Sequence, residues 1–465
     1  MKKKILALIL CLISFLISNL KGQDITGEWN GVLDVMGTQM TLVFDIQESD
    51  SGYTSTFDSP DQEAMDIPFT TTEFNNGHLK LTASNIGAFY EGELQADSLI
   101  GTWNQGGQTF ELNMSRDVVK KKVYVRPQEP KKPYPYYEEE VAFENRRDSL
   151  TLAGTLTLPQ ENGLFSAVIL ISGSGPQNRN EEVFGHRPFL VLADYLTRHG
   201  IAVLRFDDRG TAESTGDFTS ATSEDFANDG LSAVEYLKSR EEINNQQIGL
   251  IGHSEGGLIA PIVVNRTEDV AFMILLAGTG VPGKEISLMQ ARTLTNLDPD
   301  DMEGYSRFVK KAIDIASSNL PPYQKEQELT AHYTNAKDVI ESLLPEGADA
   351  EKFIEQQVEV SMRPWTQFFY KHDPAGELSK ITIPVLSLIG SLDVQVPPEM
   401  NHPPIRKALE EAGNQDFTIK ELEGLNHMFQ ESETGSMMEY AEIEQTFSPM
   451  ALEEISSWIK ERFKP

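Results

Sequence analysis

The chain has 465 residues, with 39 Lys plus Arg against 71 Asp plus Glu and a formal net charge of -32. That length accommodates two or three domains and a large core, and 39% hydrophobic residues exclude a disordered acidic polymer. So negative a surface repels phosphate backbones, and no basic patch of consequence interrupts it, so nucleic acid is not expected as a partner.

Three lysines open the chain, followed by an apolar run from Ile5 to about Leu20 broken only by Ser14, Ser18 and Asn19. This is the layout of an export signal. As a helix the run would reach only ~24 Å, short of a comfortable membrane span. Residues 1–22 are therefore expected to be a signal peptide, with an uncleaved anchor as the alternative, and the protein to be exported, periplasmic or extracellular. The single cysteine, Cys11, lies inside the run and follows Ile9 and Leu10, not the small residues that a lipid-acceptor site needs. Cleavage near Gly22 leaves no cysteine and no disulfide, so the core must supply the stability. It also removes Lys2, Lys3, Lys4 and Lys21, taking the balance from -32 to -36. No second apolar stretch is long enough to span a bilayer, so no stable transmembrane span is expected once the signal is gone.

Residues 24–115 read as strand throughout. Met40, Leu42, Phe44 and Ile46 alternate with Thr41, Val43 and Asp45, a period of two with one apolar face. Leu79 and Leu81 repeat it after the turn signal NNG, and Phe110, Leu112 and Met114 repeat it again. GEWNG at 27–31 and GTWNQGG at 101–107 echo each other, with Trp29 and Trp103 as buried wedges. The expectation is a small β-barrel or sandwich that either carries a ligand or fills its interior with side chains. It is also the part expected to form any homo-oligomer or envelope contact. In residues 116–139, four prolines between 127 and 136 deny a helix and indicate an extended linker or arm.

From residue 140 to 465 the pattern changes. The apolar strands AVILIS, IAVLRFD, QIGLIG, AFMILLAG, ITIPVLSLIG and DFTIKELEG alternate with amphipathic helices, the signature of a mostly parallel sheet covered on both faces. Residues 278–379 break the alternation with about 100 residues of helical periodicity. They read as a helical cap on the edge where loops carry chemistry, or as a decorative insertion.

The chemistry concentrates in GHSEG, 252–256, placed directly after an apolar strand and before an apolar helix. A serine in so tight a strand-to-helix turn takes an unusual backbone conformation, and Gly252 and Gly256 leave room for the crowded chain. Ser254 is thereby lifted from the sheet edge with its hydroxyl exposed. A hydroxyl needs a base to take its proton and an acid to orient that base. The fold expects these just past later core strands, where Asp393 and His427 stand. His253 is fixed by the elbow and points the wrong way for a neighbour. His186, His199 and His372 suit surface or supporting roles, and Asp207 and Asp208 read as turn and salt-bridge holders with Arg209. The oxyanion donors are expected to be the backbone N–H groups of Glu255, at the helix start, and of Ser174, in a loop made supple by Gly173 and Gly175. No phosphate-loop lysine follows, and neither metal nor organic cofactor is expected.

At these residues the chain resembles the α/β-hydrolase superfamily, in particular the group shared by small esterases and serine aminopeptidase-like proteins. The resemblance is carried by GHSEGG at 252–257, ISGSGPQ at 171–177, FDDRGTAESTGDF at 206–218, GSLDVQVPP at 390–398 and GLNHMF at 424–429. It implies an eight-stranded, mostly parallel sheet, Ser254 as nucleophile, Asp393 as orienting acid and His427 as acid and base. Exported members that look like this chain carry a β-domain with segments such as LVFDI, DSPDQ and GTWNQGG, and the resemblance implies a carboxylesterase acting on short acyl esters. The oxyanion loop departs from the group, with Ser172-Gly173 where many members have His-Gly. A peptidase or amidase would use the same triad, with Glu351, Glu355 and Glu359 offering an anchor for an α-amino group or simply forming a solvated helix face. A third reading makes the hydrolase fold a scaffold for a β-domain that binds envelope or carbohydrate.

Overall fold

The computed structural model describes residues 24–35, 38–49, 52–62, 64–105, 108–118, 120, 125–293, 299–343 and 349–463. The signal expected over 1–22 lies outside them. Two compact units divide the chain, residues up to 123 with 336–353, and residues 124–335 with 354–465. Among the described residues no helix is long and apolar enough to cross a membrane.

The first unit is antiparallel β. Its strands are β1 (Gly27–Val35), β2 (Thr38–Ser49), β3 (Gly52–Ser59), β4 (Ala64–Pro68), β5 (Thr71–Asn75), β6 (His78–Ala83), β7 (Ala88–Gln95), β8 (Ser98–Gln105), β9 (Gln108–Glu111) and β10 (Met114–Ser115). They join one sheet in the order β4-β3-β2-β1-β10-β8-β7-β6-β5, with β9 on β8. The sheet curls until β3 meets β5, where the Ser55 and Thr72 hydroxyls lie 2.8 Å apart. The period-two pattern sets the inner face, with Leu42, Phe44 and Ile46 buried on β2 and Leu79 and Leu81 on β6. Side chains fill the interior. Trp29, Trp103 and Tyr90 are among its largest fully buried residues, and Phe44 meets Phe69 and Tyr90 edge-on at centroid distances of 5.2 and 5.3 Å. The Trp29 indole N–H donates to the Ile25 carbonyl at 2.8 Å, so this ring is buried without an orphan donor.

The proline-rich segment docks as an arm on the second unit. Arg126 donates to the carbonyls of Phe184, Gly185, Ala441 and Ile443. Regular structure resumes at β11 (Tyr137–Asn145), just after Pro135, once backbone N–H groups become available in succession.

The second sheet continues with β12 (Leu150–Leu158), β13 (Phe165–Ile171), β14 (Ala202–Phe206), β15 (Ile243–His253), β16 (Phe272–Leu276), β17 (Val385–Gly390) and β18 (Phe417–Leu422). Its order is β11-β12-β14-β13-β15-β16-β17-β18. All neighbours from β14 to β18 run parallel, and β12 runs antiparallel to β11 and β14. This is the mostly parallel eight-stranded sheet expected from the sequence. Both faces are apolar because both are covered. Ala167, Ile169 and Ile171 on β13 point into one core with Leu231, Val234, Leu258 and Leu409. Val168 and Leu170 point into the other, with Phe189, Leu192, Leu452 and Ile455. The first core is covered by α2 (Ser223–Lys238) and α3 (Glu255–Val264), the second by α1 (Pro188–Arg198). The α2 start is closed by a capping box in which the Asp225 carboxylate accepts from the Thr222 N–H and hydroxyl, both at 2.8 Å.

Between β16 and β17 the chain is helical, with α4 (Gly283–Thr293), α5 (Pro299–Ala316), α6 (Pro322–Thr334), α7 (Lys337–Leu343), α8 (Ala350–Met362), α9 (Pro364–Lys371) and α10 (Pro374–Leu378). After β17 come α11 (Pro398–Glu411), α12 (Met437–Tyr440) and α13 (Pro449–Arg462), the last packed in the second core.

Candidate active site

Ser254 stands between the last residue of β15 and the first of α3, with φ 53° and ψ -113°. A non-glycine residue rarely takes this conformation, and the turn is held by the Ser254 N–H donating to the Leu276 carbonyl at 2.8 Å. The flanking glycines are required by space. A Cβ on Gly252 would lie 2.1 Å from the Gly256 carbonyl oxygen, and one on Gly256 would lie 2.1 Å from that of Ile171. Helix, strand and the start of the β13 loop thus meet backbone to backbone under the serine.

Asp393 follows β17 and is 3% exposed. Its Oδ1 accepts from the N–H groups of Gln395 and Val396 at 2.9 and 2.8 Å, leaving Oδ2 for His427 Nδ1 at 2.8 Å. His427 follows β18 in a tight loop pinned by Asn426, whose Oδ1 accepts from the N–H groups of Met428 and Gln430. The aspartate is thus oriented by backbone before it orients the histidine, which fixes the ring with Nδ1 as donor. Asp393 and His427 are brought together in the loops that follow two neighbouring strands of the sheet that carries Ser254 at the end of β15.

The loop after β13 reaches the same place. A Cβ on Gly173 would lie 3.3 Å from the Ser254 Cβ, and Gly175 takes φ +99°. The Gly173 N–H is taken by Glu181 Oε1 at 2.7 Å. Ser174 is exposed, and Glu255 is the first residue of α3, where no preceding helical turn supplies an acceptor for its N–H.

The charged partners differ from the sequence reading. Arg209 does not hold Asp207 or Asp208; it bridges Asp229 and Asp148, each at 2.7 Å. Asp207 instead pairs with Arg179 at 2.6 Å and accepts the Arg179 N–H. Asp208 accepts from the Ser172 hydroxyl at 2.8 Å and the Gln177 N–H at 2.9 Å. The two aspartates therefore clamp the β13 loop, and Asp207 also holds its own turn by accepting the Glu213 N–H at 3.3 Å. Its surroundings desolvate Asp208 and push its carboxyl up to about 8, against the hydrogen bonds it accepts.

Two groups escaped the sequence reading. Glu255 contributes more than a backbone N–H, since its buried carboxylate accepts from the Ser223 hydroxyl at 2.6 Å and the Trp365 indole at 2.7 Å. Burial pushes this carboxyl up, against the hydrogen bonds it accepts from Ser223 and Trp365. The other is the pair of His253 with Glu181, 2.8 Å apart and both buried. Its one sequence signal is an acid eight residues beyond Gly173 in a loop already suspected of reaching the serine. His186 is wholly buried among Thr446, Gln430 and the Tyr440 carbonyl, a packing role. His199 stacks on Tyr195. Glu351 and Glu359 are 77% and 71% exposed and pair with Lys337 and Arg363, as a solvated helix face does.

The family described as "Serine aminopeptidase, S33" matches residues 187–434, more than half of the chain. The chain belongs to this family. The matched serine aminopeptidase region runs from the start of α1 through the His427 loop, and so includes Ser254 and Asp393. Esterase EstD of Thermotoga maritima is 25% identical over 295 residues, 63% of this chain. The match spans 62% of that relative's length, less than two thirds of it. Among solved structures, an esterase of Pyrococcus furiosus is similar at 15% identity and TM-score 0.43, covering 70% of this chain and 93% of its own. An α/β hydrolase from a Penicillium species is similar at 18% identity and TM-score 0.43, covering 70% of this chain and 98% of its own.

Proposed function

We propose that the protein is an exported serine carboxylesterase acting on short acyl esters. The observation that carries the reading is the buried His427–Asp393 hydrogen bond of 2.8 Å, on the same sheet edge as a serine held at φ 53°. The similarity to an esterase of Thermotoga maritima supports the substrate class, and the basic, apolar start of the chain supports export.

In this mechanism His427 takes the Ser254 proton as the hydroxyl oxygen attacks the ester carbonyl. The N–H groups of Ser174 and Glu255 hold the developing negative charge. His427 returns the proton to the leaving alcohol, and water then repeats the sequence on the acyl-enzyme. Asp393 keeps the ring in the required tautomer and stabilises its charged form. Ser254→Ala tests this. Hydrolysis of p-nitrophenyl acetate and butyrate is expected to vanish with the fold intact, and full retention would sink the nucleophile assignment.

A second reading, cleavage of aminoacyl substrates, draws on the family's description and on a groove of about 480 Å³ between α6 and α8 lined by Glu326, Glu355 and Glu359 with Arg363. Three carboxylates against one guanidinium would attract an α-amino group. Parallel rates on short acyl esters and aminoacyl naphthylamides decide between the two, with ester hydrolysis expected to dominate.

A further inference from the structure

His253 precedes the serine and meets acceptors on both sides of its ring. Nδ1 lies 2.8 Å from Glu181 Oε1, and Nε2 lies 3.0 Å from the backbone carbonyl oxygen of His427. A carbonyl oxygen can only accept, and so can a carboxylate. The same Glu181 oxygen also receives the Gly173 N–H at 2.7 Å. Beside an ionised Glu181, a neutral imidazole, which carries one N–H, would leave its other nitrogen lone pair facing an oxygen lone pair in a buried site. An imidazolium carries two and satisfies both contacts.

We propose that His253 is a permanent imidazolium paired with Glu181, and that the pair positions the reacting groups by tying the β13 loop to the loop that carries His427. This rests on the reading of Ser254 as nucleophile. Three links make the tie: Gly173 to Glu181, Glu181 to His253, and His253 to the His427 backbone. One carboxylate therefore sets the spacing between the oxyanion loop and the general base. The pair also places a fixed positive charge beside the reaction, with the His253 and His427 rings 4.9 Å apart. The groups facing His253 are Glu181, Asp393, His427 and, on the apolar side, Phe429 at 6.4 Å. Burial opposes charge on His253, yet Glu181, the His427 carbonyl and Asp393 outweigh it and leave its affinity for protons raised. A pair neutral as a whole avoids the cost of an isolated buried ion.

The direct test is nitrogen NMR on the full chain labelled with ¹⁵N-histidine, with His253 assigned by its loss in His253→Gln. Both ring nitrogens of His253 are expected in the protonated range at neutral pH, and a single protonated nitrogen would overturn the proposal. Glu181→Gln keeps the shape but removes the countercharge, so the ring should drop to one proton. In the same variant kcat on p-nitrophenyl acetate is expected to fall by about tenfold or more with KM little changed. The acid limb of the rate profile should move to higher pH by roughly one unit, because a cation beside a group that must lose its proton has gone. Wild-type kcat with an unmoved acid limb would remove the positioning role. The spectrum does not depend on turnover, so it separates this proposal from the nucleophile assignment, which stands or falls on Ser254→Ala.

Discussion

The interior of the β1–β10 unit and the polar groups packed at the loop edge of the second sheet are both buried, and the two regions are filled in opposite ways. The first holds the aromatic rings of Trp29, Phe44, Tyr90 and Trp103, with Phe44 edge to face with Tyr90 and tilted against Trp103. The second holds Glu181, His253, Glu255, Asp393 and His427, each less than a tenth exposed. Burying rings stabilises through area removed from water. Burying carboxylates and imidazoles costs free energy unless every lone pair and proton is matched. The polar edge is therefore assembled for a purpose other than stability, and substitutions should separate the two regions by what they damage.

Asp393→Asn should produce the largest effect. It keeps the shape but offers the ring an amide, so the tautomer that accepts the serine proton is lost, and kcat on short esters should fall by about 10⁴-fold. The thermal midpoint should stay near that of the wild type. A variant that unfolds instead would show that the bonds from Gln395 and Val396 to Asp393 carry stability, and would blur the contrast. The reverse behaviour is expected of Trp103→Ala. Removing that ring should cost the β unit about 3–5 kcal/mol, read by denaturant unfolding, while ester hydrolysis persists below the new transition. Lost activity under native conditions would break the comparison from the other side.

These contrasts also explain what the sequence disclosed. Alternation along Met40–Ile46 gave the inner face of β2 because strand periodicity is local. The apolar runs gave the covered sheet for the same reason. Ser254, Asp393 and His427 are nominated by chain order because each occupies a place tied to the end of a core strand, and the fold sets the last two 2.8 Å apart. The Glu181–His253 pair was not, because 72 residues separate its members and a hydrogen bond between two loops leaves no period. Arg209 was assigned the wrong aspartates because proximity in sequence favoured Asp207 and Asp208, whereas the fold turned its guanidinium toward Asp148 and Asp229.

The clamp on the β13 loop gives a smaller effect with a definite sign. An unfolded aspartate ionises near pH 4, while Asp208 in the fold is pushed up to about 8. Between those values the folded chain keeps a proton that the unfolded chain has lost. The stabilisation is therefore full below about pH 4 and declines as pH rises toward 8. Asp208→Asn, a mimic of the protonated form, should flatten that part of the dependence. Melting temperature against pH, wild type beside variant, measures it, and parallel curves would remove Asp208 as a titrating clamp.

The smallest effect tests whether the inserted helices matter to the polar edge. Trp365 opens α9 and donates its indole N–H to Glu255 at 2.7 Å, next to Ser254. Trp365→Phe keeps most of the ring, including its stack on Phe369 at 5.0 Å, and removes only the donor. The Glu255 carboxyl would keep the Ser223 hydroxyl, so the loss should be near the net worth of one hydrogen bond, about 1 kcal/mol. If α9 helps hold the acyl pocket closed, that loss should raise KM several-fold on larger esters and spare acetate. An equal change on both would place the bond in the elbow's own support, and the helical insertion would then contribute rigidity to the serine rather than shape to the pocket.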